Sequence, residues 1–195
     1  DLRIIGNQSP RYRYGVNLSA RWNGIGLSVF LQGVGARDWY PGSDAGMFWG
    51  KYGRPFFALI PSIHNYTDDM YSAERNNWDT AYWPRMTTYQ SNGTKNWTRL
   101  LEIPNTRYIQ SAAYLRVKNI QLDYSFPKHI CSAIRLQGLK IYVNAENLFT
   151  FTPLHKYAPN FDPEGLSYDS DFASAADGYT YPILKSVTVG VNITF

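Results

Sequence analysis

Three histidines, one cysteine and a run of carboxylates are the residues of this chain best equipped for chemistry, and their spacing argues against it. His64, His129 and His155 stand far apart, and none has a partner at the spacing of a zinc site. His129 and Cys131 are near neighbours, but two ligands do not make a metal centre. Between Tyr157 and Leu184 there are five carboxylates (Asp162, Glu164, Asp169, Asp171 and Asp177) and no Lys or Arg, so this stretch carries −5 and the rest of the chain +9. Hard oxygen ligands cluster in this way at calcium sites. The spacing departs from an EF-hand loop, however, and suits a solvated loop better. Dinucleotide loops, Walker loops, nucleophile elbows and His-Glu-x-x-His are all missing. The expectation is no enzyme, no cofactor and no metal.

Aromatic residues are the other candidates. The stretch from Gly35 to Ala113 has 79 residues and holds five of the six Trp: Trp39, Trp49, Trp78, Trp83 and Trp97. Ten further Tyr and Phe lie in the same stretch. Aromatic faces stack on sugar rings or pack against a protein partner. A segment this long also needs a small core of its own, so most of these rings are expected to be structural. From position and side-chain type, Trp39, Trp83 and Arg85 are the expected substrate contacts.

The elements that position these residues are strands. Tyr12, Tyr14, Val16, Leu18, Ala20 and Trp22 alternate with Arg13, Gly15, Asn17, Ser19 and Arg21, giving a strand over 12–22. Asn23-Gly24 follows, a strong hairpin signal, and leads into a second strand over 25–34. A third strand, over 114–126, changes phase midway. Leu115 and Val117 are odd, whereas Ile120, Leu122, Tyr124 and Phe126 are even, which predicts a β-bulge near Lys118-Asn119. A fourth is expected over 139–146. The fifth, over 185–195, alternates Val187, Val189, Val191, Ile193 and Phe195 with small polar residues. No segment sustains a helical period, apart from a short turn near Asp68 to Arg75. The class is all-β.

Short and long connections alternate. Asn23-Gly24 and Pro127 to Gly138 are short, while 35–113 and 147–184 are long. Loops beyond about 15 residues are uncommon in compact domains. Short turns at one end and long loops at the other are how outer-membrane barrels are built. Alternation alone suits a soluble sheet equally well. Tyr12, Tyr14, Trp22, Tyr124, Phe126 and Phe149, clustered at or just beyond strand ends, favour an interfacial girdle over ordinary aromatics at the edge of a core.

Composition excludes several classes. Among 195 residues, 19 Lys plus Arg against 15 Asp plus Glu leave +4, too small and too dispersed an excess for a nucleic-acid partner. No apolar run approaches the roughly 20 residues of a membrane helix. A single cysteine excludes an internal disulfide framework. Six Asn-x-Ser/Thr sequons occur, at Asn7, Asn17, Asn65, Asn92, Asn96 and Asn192; two fall inside strands, and all read as accidents of composition. The chain opens at Asp1 without a leader and reads as a piece of a longer protein.

An ordered set of segments resembles the C-terminal part of SusC/RagA-type TonB-dependent outer-membrane transporters of Bacteroidetes. It begins with Ile5-Gly6-Asn7-Gln8-Ser9-Pro10-Arg11-Tyr12, then Phe30-Leu31-Gln32-Gly33-Val34 running into Arg37-Asp38-Trp39-Tyr40. Tyr82-Trp83-Pro84-Arg85, Thr106-Arg107-Tyr108 and Ala113-Tyr114-Leu115-Arg116-Val117-Lys118-Asn119-Ile120 follow. Glu146-Asn147-Leu148-Phe149, Asp162-Pro163-Glu164, Tyr181-Pro182 and Val191-Asn192-Ile193-Thr194-Phe195 complete it.

The resemblance implies a transmembrane β-barrel of about 22 strands with a plugged lumen. It implies active import of a bulky nutrient, an oligosaccharide or a peptide. TonB would supply the energy, and a SusD-like surface lipoprotein would cap the mouth. The plug and TonB-contacting parts lie N-terminal in that family and have no counterpart in these residues. The five strands would be wall, completed by the remainder of the same barrel and bathed in outer-membrane lipid. Loops 35–113 and 147–184 would be extracellular and the C-terminus periplasmic. The terminal Phe195 resembles the signal read by the barrel insertion machinery. The rival readings are a soluble glycan-binding β-sandwich and a passive porin.

Overall fold

The computed structural model describes residues 3–41, 70–83, 104–159, 161–166 and 183–195. Five strands, β1 (Arg13–Trp22), β2 (Ile25–Val34), β5 (Tyr114–Ser125), β6 (Gly138–Phe151) and β7 (Ser186–Thr194), form one antiparallel sheet in the order β1-β2-β5-β6-β7. Two short strands, β3 (Asp38–Trp39) and β4 (Gln110–Ser111), form a separate ribbon. Among the described residues no helix is long and apolar enough to cross a membrane, which does not bear on crossing by strands.

The first hairpin closes as its sequence requires. Trp22 pairs with Ile25, and Asn23 and Gly24 both take positive φ, 46° and 85°. Two consecutive positive φ angles match the twist of the flanking strands. A Cβ on Gly24 would lie 2.7 Å from the carbonyl oxygen of Ser125, so a side chain has no room there.

The bulge also appears, and it crosses the sheet. Phe30 pairs with Asn119 and Leu31 with Val117, so Lys118 is the extra residue of β5. On the other side Val117 pairs with Phe149 and Asn119 with Glu146, so β6 fits Asn147 and Leu148 opposite Lys118. Asn147 reaches φ 53°, a conformation that Asn tolerates better than most side chains. One inserted residue flips the parity of β5, whereas two preserve that of β6. Outward apolar positions therefore stay aligned above and below the irregularity: Leu122 opposite Val143, and Val117 opposite Phe149.

Two features depart from the sequence expectation. Strand β6 continues to Phe151 instead of stopping near Glu146, so the second long connection starts at Thr152. The break in pattern at Asn147 is a bulge within the strand, not its end. The connection from Pro127 to Gly138, read as a plain turn, contains a helix, α1 (Lys128–Ala133). Pro127 precedes it at φ −60°, a value its ring favours, and six residues are too few for a helical period to stand out. Of the stretch expected as a turn near Asp68 to Arg75, the described part has turns and a parallel bridge between Met70 and Trp83; Asp68 and Asp69 lie outside the described residues.

The chain divides into two compact units. The sheet unit comprises 11–35, 114–151 and 183–195, and the loop unit comprises 1–10, 36–113 and 152–182. Among the described residues, only the loop unit has a conventional core. Trp39, Tyr40, Trp83, Tyr108, Leu154 and Phe161 are buried within it.

Candidate functional site

Strand alternation sorts the sheet's side chains into two environments. One face carries Val16, Leu18, Ile25, Leu27, Leu122, Ile141, Val143, Val187, Val189 and Val191, all exposed; Val189 reaches 73%. In water each such side chain forgoes about 1.5–3 kcal/mol of burial free energy. Among the described residues nothing covers this face, and its apolar row runs across every strand. Aromatics mark its ends. Tyr12, Tyr14, Phe149 and Phe151 stand where the long connections leave, and Trp22 and Phe195 where the short turns lie. The Tyr14 ring lies over the bare backbone of Gly33, and its hydroxyl donates to the carbonyl of Tyr114 at 3.1 Å.

The opposite face is small and polar, and its densest charge lies near the Asn23-Gly24 turn. Asp123 on β5, only 6% exposed, accepts from Arg21 Nη2 on β1 at 3.3 Å and lies 3.0 Å from Lys140 Nζ on β6. The strand between Asp123 and Arg21 makes this possible. Gly26 pairs with both residues, and a Cβ there would come within 2.5 Å of the Asp123 carboxylate. Further along, Arg116 Nε donates to Thr150 Oγ1 at 2.9 Å, and Ser186 donates to Glu146 at 3.2 Å. The Tyr142 ring fills the space above Gly190. This face suits a hydrated lumen.

In the loop unit, Trp39 (3% exposed) packs on Phe161 with ring centroids 5.3 Å apart. Trp83 (1% exposed) meets Tyr82 edge-on at 5.0 Å, and Tyr82 stacks on Tyr157 at 3.8 Å. Arg37 is buried and donates to three carbonyls, those of Gln8 (3.2 Å), Pro163 (3.1 Å) and Leu166 (2.8 Å). Arg107 donates to the carbonyls of Ala81 and Tyr82. Burial raises the hydroxyl pKa values of Tyr40, Tyr82 and Tyr108, so all three are neutral donors or acceptors at neutral pH.

The residues expected to touch substrate fall out as follows. Trp39 and Trp83 belong to the loop core. Arg85 lies outside the described residues. Phe195 is 83% exposed at the turn end of the sheet. Among the described residues, no three His, Cys, Asp or Glu side chains are grouped to hold a metal ion. Of the acidic stretch, Asp162 accepts from the amide of Glu164 at 2.9 Å, while Asp169, Asp171 and Asp177 lie outside the described residues. Residues that spacing did not reveal are Asp123 and Arg37, both buried. The one available signal for Asp123 was Gly26, a gap in an otherwise apolar-polar strand.

A five-stranded antiparallel sheet, apolar and exposed on one side and polar on the other, with both edge strands unpaired among the described residues, is a piece of β-barrel wall. Comparison with known proteins agrees. No family model matches the chain. TonB-dependent receptor P3 of Formosa agariphila is 25% identical over 201 residues, covering 100% of this chain and 17% of the receptor. TonB-dependent receptor P26 of the same organism is 22% identical over 199 residues, covering 100% of this chain and 18% of the receptor. Among solved structures, the RagAB peptide transporter matches 100% of this chain and 18% of its own at a TM-score of 0.64 and 18% identity. The RagAB peptide importer in the 'open-open' state matches 99% and 18% at 0.61, also with 18% identity. In sequence and fold the chain therefore resembles a segment of a SusC/RagA-type TonB-dependent receptor, and it spans less than a fifth of the length of these relatives.

Proposed function

We propose that the chain supplies barrel wall and extracellular loops, from the C-terminal part, to a TonB-dependent outer-membrane importer of a bulky nutrient. The observation that carries this is the apolar face of the sheet, uncovered among the described residues, backed by a polar face and bounded by two edges that no described strand pairs. Each unpaired backbone group at such an edge costs several kcal/mol in hydrocarbon, so β1 and β7 pair with further strands of the same barrel. A barrel of about 22 strands would suit a plugged importer better than an open porin. A soluble β-sandwich would need a second sheet over the apolar face, and the described residues provide none.

Oligosaccharide and peptide both remain within this reading; the solved neighbours are a peptide transporter and a peptide importer, which favours peptide. The role is transport without catalysis. TonB would act through other parts of the importer, and a SusD-like lipoprotein would sit at its mouth. Phe195, at the exposed end beside β7, serves as the insertion signal.

The topology follows from one choice of direction. With Phe195 in the periplasm, Asn23-Gly24 and α1 are periplasmic, and 35–113 and 152–185 are extracellular. Protease added to intact cells should then cut within 35–113. Cleavage confined to Lys128 or Arg135 would reverse the assignment.

A further inference from the structure

The α1 turn carries a feature that a simple connection does not require. Ile130 and Ile134 are exposed, at 40% and 54%, on either side of the buried Cys131. Ile130 lies within α1, and Ile134 caps its C-terminus. Lys128 and Arg135 are also exposed, and among the described residues neither joins an ion pair. The segment is anchored by backbone bonds at both ends. Phe126 N donates to Leu139 O at 2.9 Å, and Gln137 N donates to Thr194 O at 2.9 Å. That places it beside the Trp22, Tyr124, Phe126 and Phe195 end of the apolar face, where Tyr124 and Phe126 meet edge-on at 5.0 Å. Two exposed isoleucines at the turn end of an apolar wall, bordered by two cations without an ion pair among the described residues, have the composition of an interfacial anchor.

We propose that the segment 128–135, which contains α1, docks on the membrane surface: Ile130 and Ile134 enter the acyl boundary of the adjacent phospholipid leaflet, and Lys128 and Arg135 hold anionic headgroups. The occupant is lipid because the segment lies at the turn end of the apolar face and both bordering charges are positive. This rests on the membrane reading above. The test uses the full-length transporter in nanodiscs of phosphatidylethanolamine with phosphatidylglycerol. An environment-sensitive fluorophore is attached at Ile134→Cys, at Val189→Cys on the apolar face, or at Asn192→Cys on the polar face. Native Cys131 is buried, and an unsubstituted sample corrects for any labelling of it.

Lipids carrying a shallow doxyl group should quench the labels at 134 and 189 by at least about twofold and leave that at 192 bright. Quenching at 189 without quenching at 134 overturns the anchor and leaves the barrel reading standing. No quenching at 189 overturns both. Raising the phosphatidylglycerol share should deepen quenching at 134, and Lys128→Gln with Arg135→Gln should abolish that response. An unchanged response would overturn the role of the cations.

Discussion

The carboxylate of Asp123 reaches the guanidinium of Arg21 at 3.3 Å, although the two residues are 102 positions apart and a whole strand lies between them. Gly26 on that strand leaves the gap, and Lys140 closes the trio from the other side at 3.0 Å. Three strands are thus cross-linked on the polar face near the turn end.

Removing this carboxylate leaves two neighbouring cations without their shared partner. Asp123→Ala should destabilise the full-length barrel by about 1.5–3 kcal/mol, the scale of a hydrogen bond to a charged group. Gly26→Val should act in the same direction by displacing Asp123. Heat-modifiability on gels gives the transition temperature. An unchanged transition in both variants would show that the trio carries no stability.

Arg37 satisfies three loop carbonyls from a buried position. Arg37→Ala should leave buried acceptors unpaired, at about 1–3 kcal/mol each where water cannot replace the donor. Limited proteolysis of the intact transporter should then cut the loop unit faster while the sheet unit stays resistant. Arg37→Lys should recover only part of the protection, because one ammonium does not reproduce the planar fork.

Trp83 and Trp78 lie five positions apart in one segment and differ in exposure, 1% against 70%. Trp83→Ala should cost the loop unit about 3–5 kcal/mol. Trp78→Ala should stay within about 0.5 kcal/mol. The same proteolysis assay separates them, and equal sensitivity would contradict the core described for this unit.

Tyr40, Tyr82 and Tyr108 have hydroxyl pKa values raised above the ordinary 10.0, chiefly by burial. A raised folded value means the folded loop unit holds these protons more tightly than the unfolded chain does. The resulting stability is complete below about pH 10 and is lost as pH rises above it. Alkaline difference absorbance should show late-titrating tyrosines, with accelerated loop cleavage in the same pH range. Ordinary titration of every tyrosine would contradict the burial.

Period-two alternation was legible because each strand separates two environments. Val187, Val189 and Val191 report the apolar side and Ser186, Thr188 and Asn192 the polar side without reference to any other strand. The Asn23-Gly24 turn and the slip at Lys118 were legible for the same reason, since both are consequences of backbone geometry within a few residues. Alternation does not tell a bulge from a strand end: the polar Asn147 at an apolar position makes the pattern stop at Glu146, although the strand runs on through the irregularity to Phe151. Nor could it show the six-residue α1. Tertiary structure alone decided which polar residues meet. Asp123, Arg21 and Lys140 lie on three strands, and strand register together with the missing side chain at Gly26 brings them together. It also decided which tryptophans of one loop are core. Trp39, Trp78 and Trp83 are chemically alike, and burial depends on what the rest of the unit packs against each indole, a many-body property that local sequence does not carry.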